Sequence, residues 1–515
     1  MKTKNMNIIL IITILAVSLF AADWPQFKRT PDRQGCNLAE SITLPSKLCA
    51  WIDFGSPVLS SPVIVTGKAY CMAENGLLAC VDLATNTVVW HQNLGGQSNE
   101  CTPAVGNGKV YVGSTVGKFY VLDAATGTVL KQYDAGAMIF ASPLLLSTGV
   151  YFGSYNGIFH ALDLSGNLKW TDTAQYNIKH GAACGKGQII YVDGNANMVW
   201  LEDSVTYGRK VRVVHRGPAD NSDLTGWINT PMIWRDSVFA AFSQAEMVST
   251  DQDLLQYNMV TGAFIKNKGF GGIGGGGASI FATPSVDTSN GNLFVSTANG
   301  GFFGAGWGTI AVYSAYPTGL FAVNSSPAVI GNCVIFGSEV SLDTGGCAIH
   351  FLAKTSGNTY GGTQLWSYRP ASFKPVSSSP AVADGRVVVG SLDGCLYGFW
   401  NGTQVTAPIK VDSTGTGIAK GNVAAPGQWT LSVFPNPASG SRVMIEISGM
   451  APGVVIAVHD ISGAVVAELK AGRAGKFPWD LKDLHGRVVA AGSYFATVRG
   501  PNGKSMRSFN LQVLK

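Results

Sequence analysis

Three observations in this 515-residue chain predict an all-β fold, an eight-bladed β-propeller followed by a small β-sandwich. A phrase recurs at a spacing near forty residues: Ser or Thr, Pro, a short apolar run, Gly-Ser, a second run ending in Asp, and a turn. That is the period of a four-stranded blade. Each copy is made of aromatic and β-branched runs too short for helices, such as Val110-Tyr111-Val112 and Phe119-Tyr120-Val121-Leu122, parted by turn formers. Composition then changes after residue 402, where a Thr-, Gly- and Ala-rich stretch gives way to a second set of strand patterns.

Aligned on the Pro or its equivalent, the copies begin at Pro62, Pro103, Pro143, Ala183, Pro231, Pro284, Pro327 and Pro380. The intervals are 41, 40, 40, 48, 53, 43 and 53 residues, so the first half is regular and the later copies carry insertions. The last copy runs into Asn401-Gly402-Thr403 without its Trp-bearing strand, while Leu48 to Phe54, around Trp51, stands unpaired ahead of the first copy. We expect this N-terminal strand to complete the eighth blade and close the ring, which removes two exposed edges.

Residues 1–22 read as a secretory leader: Lys2 and Lys4, an apolar run from Ile8 to Phe20, then Ala21 and Ala22. No other stretch is apolar and long enough to span a bilayer as a helix. The formal charge of +5 falls towards neutral without the two leader lysines, and no basic run follows, which argues against a nucleic-acid partner. Nine cysteines fit an oxidising compartment, with Cys36–Cys49 and Cys333–Cys347 as candidate bridges. No Cys-x-x-Cys occurs and the histidines are scattered, so no zinc site is expected.

Asp82 to Trp90 and Asp123 to Leu130 carry variations of Asp-x-x-Thr-Gly-x-x-x-Trp. This resembles the repeat of PQQ-type, quinoprotein-like propellers, and Asp23-Trp24-Pro25-Gln26-Phe27-Lys28 resembles the opening of their secreted bacterial members. The resemblance covers residues 23–402 and implies the fold. It leaves function open, because that family holds dehydrogenases as well as non-catalytic scaffold and binding proteins. A dehydrogenase of this type implies PQQ with Ca²⁺, a Trp floor, a catalytic Asp and, in many members, adjacent cysteines. Here no cysteines are adjacent, and Glu246, Asp251 and Asp253 do not form a ligand set by spacing.

Other motifs carry less. The run from Gly269 to Gly277 lacks the Gly-Lys-Ser/Thr ending of a phosphate loop and is expected as an inter-blade loop. Asp287 to Asn292 has the oxygen-rich look of a calcium loop but no distal Glu, and is expected as a hairpin turn. No Gly-x-Ser-x-Gly elbow supports a hydrolase.

Residues 403–428 are expected to be a linker and 429–515 a β-sandwich, with strands near Leu431–Val433, 442–447, 454–460, 465–469, 492–499 and 505–513. This last domain resembles the immunoglobulin-like, type A C-terminal sorting domain of the type IX secretion system. The residues that carry the likeness are Pro435, Asn436, Pro437, Gly463, Gly492, Tyr494 and the terminal Lys515. The resemblance implies export across the outer membrane through that machinery, to an extracellular or cell-surface location. The expected function is a binding or scaffold module for a polysaccharide or surface protein, with no catalytic, metal or cofactor residues assigned. Trp227, Phe302, Phe303 and Trp307, in the irregular later copies, are its candidate ligand-facing aromatics.

Overall fold

The computed structural model describes residues 23–513, apart from 204–207, 215–225, 245–252, 270–281, 297–300, 307–311, 318–323, 339–346, 355–363, 373, 412–416, 419–429, 435–442, 449–454, 460–464, 471–475, 491 and 500–504. The chain divides into two compact units, Met1–Ala419 and Lys420–Lys515. The first is a β-propeller.

Its first blade pairs Val63–Val65, Lys68–Met72, Leu77–Asp82 and Thr87–Asn93 as an antiparallel meander. The second to fourth blades repeat this with innermost strands Ala104–Gly106, Leu144–Leu146 and Ala183–Gly185. The fifth to seventh open with Met232–Trp234, Ser285–Asp287 and Ala328–Ile330. Among the described residues, seven blades, not eight, are each one continuous run of chain. The remaining sheet is composite: Ala381–Ala383, Arg386–Gly390 and Cys395–Trp400 pair with the N-terminal strand Lys47–Asp53, Trp51 lying opposite Tyr397.

The repeat's residues have separate mechanical roles. Asp123 accepts hydrogen bonds from the amides of Ala125 and Thr126 at 3.0 and 2.8 Å, so its carboxylate caps the turn and its pKa is held below the usual range. Gly127 then takes φ +71°, and a Cβ there would stand 2.5 Å from the indole of Trp90 in the preceding blade. The Trp90 indole N–H reaches on to the Ala124 carbonyl at 2.9 Å. Gly127 and Trp90 of neighbouring copies thus form one joint.

The Ser or Thr before the Pro forms a second joint. The amide of Ser61 donates to Thr102 Oγ1, Thr102 to Ser142 Oγ, Thr283 to Ser326 Oγ and Ser326 to Ser379 Oγ, all at 2.9–3.1 Å. Ala182 offers no hydroxyl to the copy before it, and in this fourth blade it is the Gly181 amide that donates to Thr230 Oγ1. The Ser379 amide donates to Ser61 Oγ at 2.9 Å, joining the last sheet to the first.

Two expectations are corrected. All nine cysteines are free. Cys333 faces Ala353 at one end of a strand pair and Cys347 precedes the other end, Ile349 lying opposite Gly337; five residues of strand, roughly 13 Å, separate them beyond disulfide reach. Cys36 pairs with Val329, while Cys49 belongs to the composite sheet and donates to the Trp400 carbonyl. Part of the stretch expected as a linker is strand: Ile409–Lys410 pairs with Ile52 and Asp53, and Gly417–Ile418 pairs with Trp90 and His91. Asp287 to Asn292 is the expected hairpin turn, with Gly291 at φ +80°.

The second unit holds two sheets. One pairs Thr430–Phe434, Val443–Ser448 and Lys476–Trp479, and the other Val465–Lys470, Val455–His459, Gly492–Arg499 and Ser505–Val513. Side chains from both sheets, among them Ile445, Trp479, Ile456, Val458 and Tyr494, form one buried cluster.

Candidate functional site

The innermost strand of a blade has no neighbour on its inner edge, so its main-chain groups need partners from elsewhere. A segment ahead of the repeat supplies them. Trp24 exchanges two main-chain bonds with Ile64 of the first blade, and the Pro25 carbonyl accepts from Val105 of the second. Gln26 Oε1 accepts from the Leu145 amide of the third. The carbonyls of Pro31, Asp32, Gln34 and Gly35 accept from Cys184, Ile233, Val286 and Val329 of the fourth to seventh, at 2.8–3.1 Å. Every one of those partners is the middle residue of a three-residue innermost strand. Glu40 adds the composite sheet, accepting from the Gly385 amide at 2.6 Å. Residues 24–40 are therefore a strap that runs inside the ring and touches the sheets in order.

Two basic side chains of the strap are buried at the axis. Lys28 Nζ donates to the Pro327 carbonyl at 2.8 Å, more weakly to that of Thr283 at 3.4 Å, and closely to Ser285 Oγ. Arg33 donates to the carbonyls of Ala182, Pro143 and Phe27 at 2.8, 3.0 and 2.7 Å. Lys28 is 2 % exposed and Arg33 fully enclosed. Burial pushes both pKa values down, Arg33 to about 9. Lys28 beside Ser285 has the composition of a nucleophile–base pair, but enclosure leaves a substrate no approach.

Beside the strap, at the end of the blades where the first two strands turn, lies a cavity of about 650 Å³ lined by Pro31, Leu145, Thr148, Cys184 and Asp203 among others. Asp203 occupies the position at which Asp123 and Asp163 cap their own turns. It accepts from Lys169 Nζ at 2.9 and 3.1 Å, Tyr151 at 2.5 Å and the Trp170 indole at 3.0 Å. Both its oxygens are engaged, so it is a lock between blades rather than a free base. Burial raises the Cys184 thiol to about 11, which keeps it protonated and unreactive at neutral pH.

At the opposite end, the loops around the second to fourth blades carry exposed rings. Phe140 meets Tyr155 edge-on at 5.7 Å, and Tyr155 and Tyr176 are 39 % and 42 % exposed. Lys179 Nζ stands 5.6 Å from the Phe140 ring centre and 3.7 Å from Glu100.

The expected site residues fall differently. Phe302 is buried, 4.2 Å from Phe336 in a parallel stack, so it packs blades and does not face a ligand. The side chains of Trp227, Phe303 and Trp307 lie outside the described residues, as do Pro435, Asn436, Pro437, Gly463, Lys515 and the glycine loop beyond Gly269. Gly492 opens its strand, and Tyr494 is buried with its hydroxyl on the Ala490 carbonyl at 2.9 Å. Sequence reasoning named Gln26 and Lys28 only within the opening signature, without a structural role, and passed over Arg33 and Asp203; the further signal was that Trp24 to Gly35 precedes the repeat and does not share its pattern.

Two Ser–His contacts invite a catalytic reading. Ser154 Oγ lies 2.8 Å from His160 Nε2, and Ser338 Oγ 3.1 Å from His350 Nε2. They occupy equivalent places in the third and seventh blades, each imidazole stacked on a Phe, and the other ring nitrogen meets a phenol or an amide rather than a carboxylate. Desolvation drops both to a pKa of about 4, so they are neutral packing groups. Among the described residues no three His, Cys, Asp or Glu side chains converge to hold a metal. Asp32 is taken up by Thr30 and Gln34, and Glu40 by Gly385. The described groups at the axis do not fit a calcium–quinone pair.

Residues 74–258 match the family model described as "Outer membrane protein assembly factor BamB". They carry the PQQ-like propeller repeat. The chain is 25 % identical over 232 residues to the outer membrane protein assembly factor BamB of Yersinia pestis, covering 38 % of this chain and 58 % of that relative. The solved quinohemoprotein alcohol dehydrogenase from Comamonas testosteroni superposes with a TM-score of 0.57 at 14 % identity, over 75 % of this chain and 82 % of that one. BamB from Moraxella catarrhalis gives 0.52 at 15 %, over 69 % and 99 %. At such identities the two structures establish the fold alone.

Proposed function

We propose that this PQQ-like propeller is a non-catalytic binding or scaffold module that engages a polysaccharide or a surface protein through the loops at one end of its ring. The observation that carries this is the pair of exposed rings Tyr155 and Tyr176, with the half-buried Phe140 edge-on to Tyr155 and the Lys179–Glu100 pair beside Phe140. Exposed aromatics beside charged groups stack on sugar faces and anchor protein interfaces. Envelope assembly is the second reading, favoured by what the Yersinia pestis and Moraxella catarrhalis proteins are named for. A PQQ-dependent oxidoreductase acting on an alcohol or sugar rests on fold likeness only.

The architecture behind this proposal is a ring of eight blades, supported by the Lys47–Asp53 pairing and by the Ser379–Ser61 bond. The C-terminal unit is read as an immunoglobulin-like sorting domain, supported by its two-sheet core and by the Tyr494 hydroxyl bonded four residues back, as in a tyrosine corner. With the leader at 1–22, it would send the propeller through the type IX machinery to the cell surface or medium.

Affinity electrophoresis of the purified protein through gels holding surface polysaccharide, and pull-down of solubilised surface proteins, test the proposal. A Phe140→Ala, Tyr155→Ala, Tyr176→Ala variant with unchanged Tm should lose whichever retention the parent has; retention equal to the parent contradicts the site. Stoichiometric uptake of PQQ with Ca²⁺, or dye-linked alcohol oxidation, would overturn the non-catalytic reading. Deleting residues 431–515 should leave the protein behind the outer membrane, and surface display of the truncated chain would end the sorting assignment.

A further inference from the structure

The strap does more than satisfy strand edges. Lys28 and Arg33 point to places where the ring presents main-chain carbonyls inward, from the residues just ahead of the innermost strands. One seat is made by Pro327, Thr283 and the Ser285 hydroxyl, between the sixth and seventh blades. The other is made by Pro143 and Ala182, between the third and fourth, with the strap's own Phe27 carbonyl and Gln26 side chain completing it. The partners of both groups are neutral oxygens rather than carboxylates. The first accepts three donors around a point, the geometry of an ammonium; the second accepts along the edges of a plane, the geometry of a guanidinium.

Gly35 indicates that the first seat is built around its occupant. It adopts φ +62°, and a Cβ there would lie 2.4 Å from Lys28 Cε and Nζ and 2.9 Å from Ser285 Oγ. The strap folds back over its own lysine and leaves room for nothing larger than hydrogen.

We propose that the axis of the ring is a two-seat cation site lined by main-chain carbonyls, one seat for a primary ammonium and one for a guanidinium, whose ligand in this chain is its own residues 24–40. The ring thereby recognises a basic segment read in a turned form, with Lys28, Arg29, Arg33 and Gly35 at positive φ, main-chain bonds giving the register and the two cations giving the choice. This is independent of the surface patch and of any function assigned to it.

Chemical rescue in the full-length protein tests the proposal. Lys28→Ala and Arg33→Ala each empty one seat and lower Tm by several degrees. Millimolar methylammonium should restore Tm in the first and methylguanidinium in the second, each only in its own variant, with sodium chloride of equal ionic strength as control. Rescue of neither, or of both variants by either cation equally, overturns the proposal, as does a Tm equal to the parent. Should Arg33→Ala not accumulate, Arg33→Lys serves. Its ammonium cannot span the planar seat, so Tm falls and the Cys184 amide exchanges faster; parental values for both would overturn the second seat.

Discussion

The blades and the strap inside them are held by different kinds of contact. Between blades the joints are local, a hydroxyl on the next amide repeated round the ring and an indole on a turn glycine at Trp90 and Gly127, with Asp123-type carboxylates in water at the rim. In the strap the main-chain bond to each innermost strand recurs once per blade, but the side chains that anchor it do not: Lys28 and Arg33 each have their own seat, enclosed with neutral oxygens as partners. A repeated joint can be lost once and the ring keeps the others, whereas each seat is single. The comparison teaches that cohesion is shared among copies while closure is concentrated in about seventeen residues and one borrowed strand.

Removing a joint outright measures the first half of that comparison. Trp90→Ala, at a fully buried indole, should cost about 3–5 kcal/mol by denaturant unfolding. Its loss should leave strap amides as protected as before; loosening of both together would mean the two are not separate. Gly35→Ala attacks the strap instead. The new methyl must displace Lys28 from a left-handed position, so a cost of about 1–3 kcal/mol is expected, with faster exchange at Val286 and Val329. An unperturbed protein would show that the seat has slack.

Smaller effects compare one hydroxyl joint with another. Ser61→Ala removes the acceptor of the Ser379 amide and Thr102→Val that of Ser61, each worth about 1–2 kcal/mol as a buried amide left unpaired. Equal costs are predicted, because closing the ring uses the same bond as continuing it. A Ser61 variant several times more costly would make closure a special joint.

A further test is in pH. His160 and His350 titrate near 4 when folded, against 6.5 in the unfolded chain. Between those values the unfolded chain binds protons that the folded one cannot, so stability falls as pH drops from about 6.5 to 4 and flattens below. Tm measured across that range should decline, and His160→Gln should reduce the slope. A slope unchanged in that variant would place the acid sensitivity elsewhere.

Much of the ring was legible in the sequence because its signals are local. Val110 to Gly127 encodes strand, turn and docking glycine within eighteen residues, and Trp51 could be matched to a missing strand because the repeat defines what is missing. The C-terminal strands were legible for the same reason, although Lys476–Trp479 was not anticipated. The strap was illegible because the oxygens around Lys28 lie 255 to 299 residues away in the chain. Two of those three are main-chain carbonyls, which have no signature of their own. Asp203 was hidden by looking like every other turn aspartate, and Phe302 misled because a ring in an irregular copy packs as readily as one in a regular copy.

The central claim is that residues 24–40 lie along the inner edges of the blades and bond them in turn. Residue-resolved hydrogen exchange on the intact protein tests it at the amides of Val105, Cys184, Ile233, Val286 and Val329, whose acceptors are all strap carbonyls. The account predicts exchange at those five as slow as in the second strand of the same blades, for instance Val110 and Ile190. Exchange as fast as in the exposed turns at Gly108 and Gly187 would contradict it.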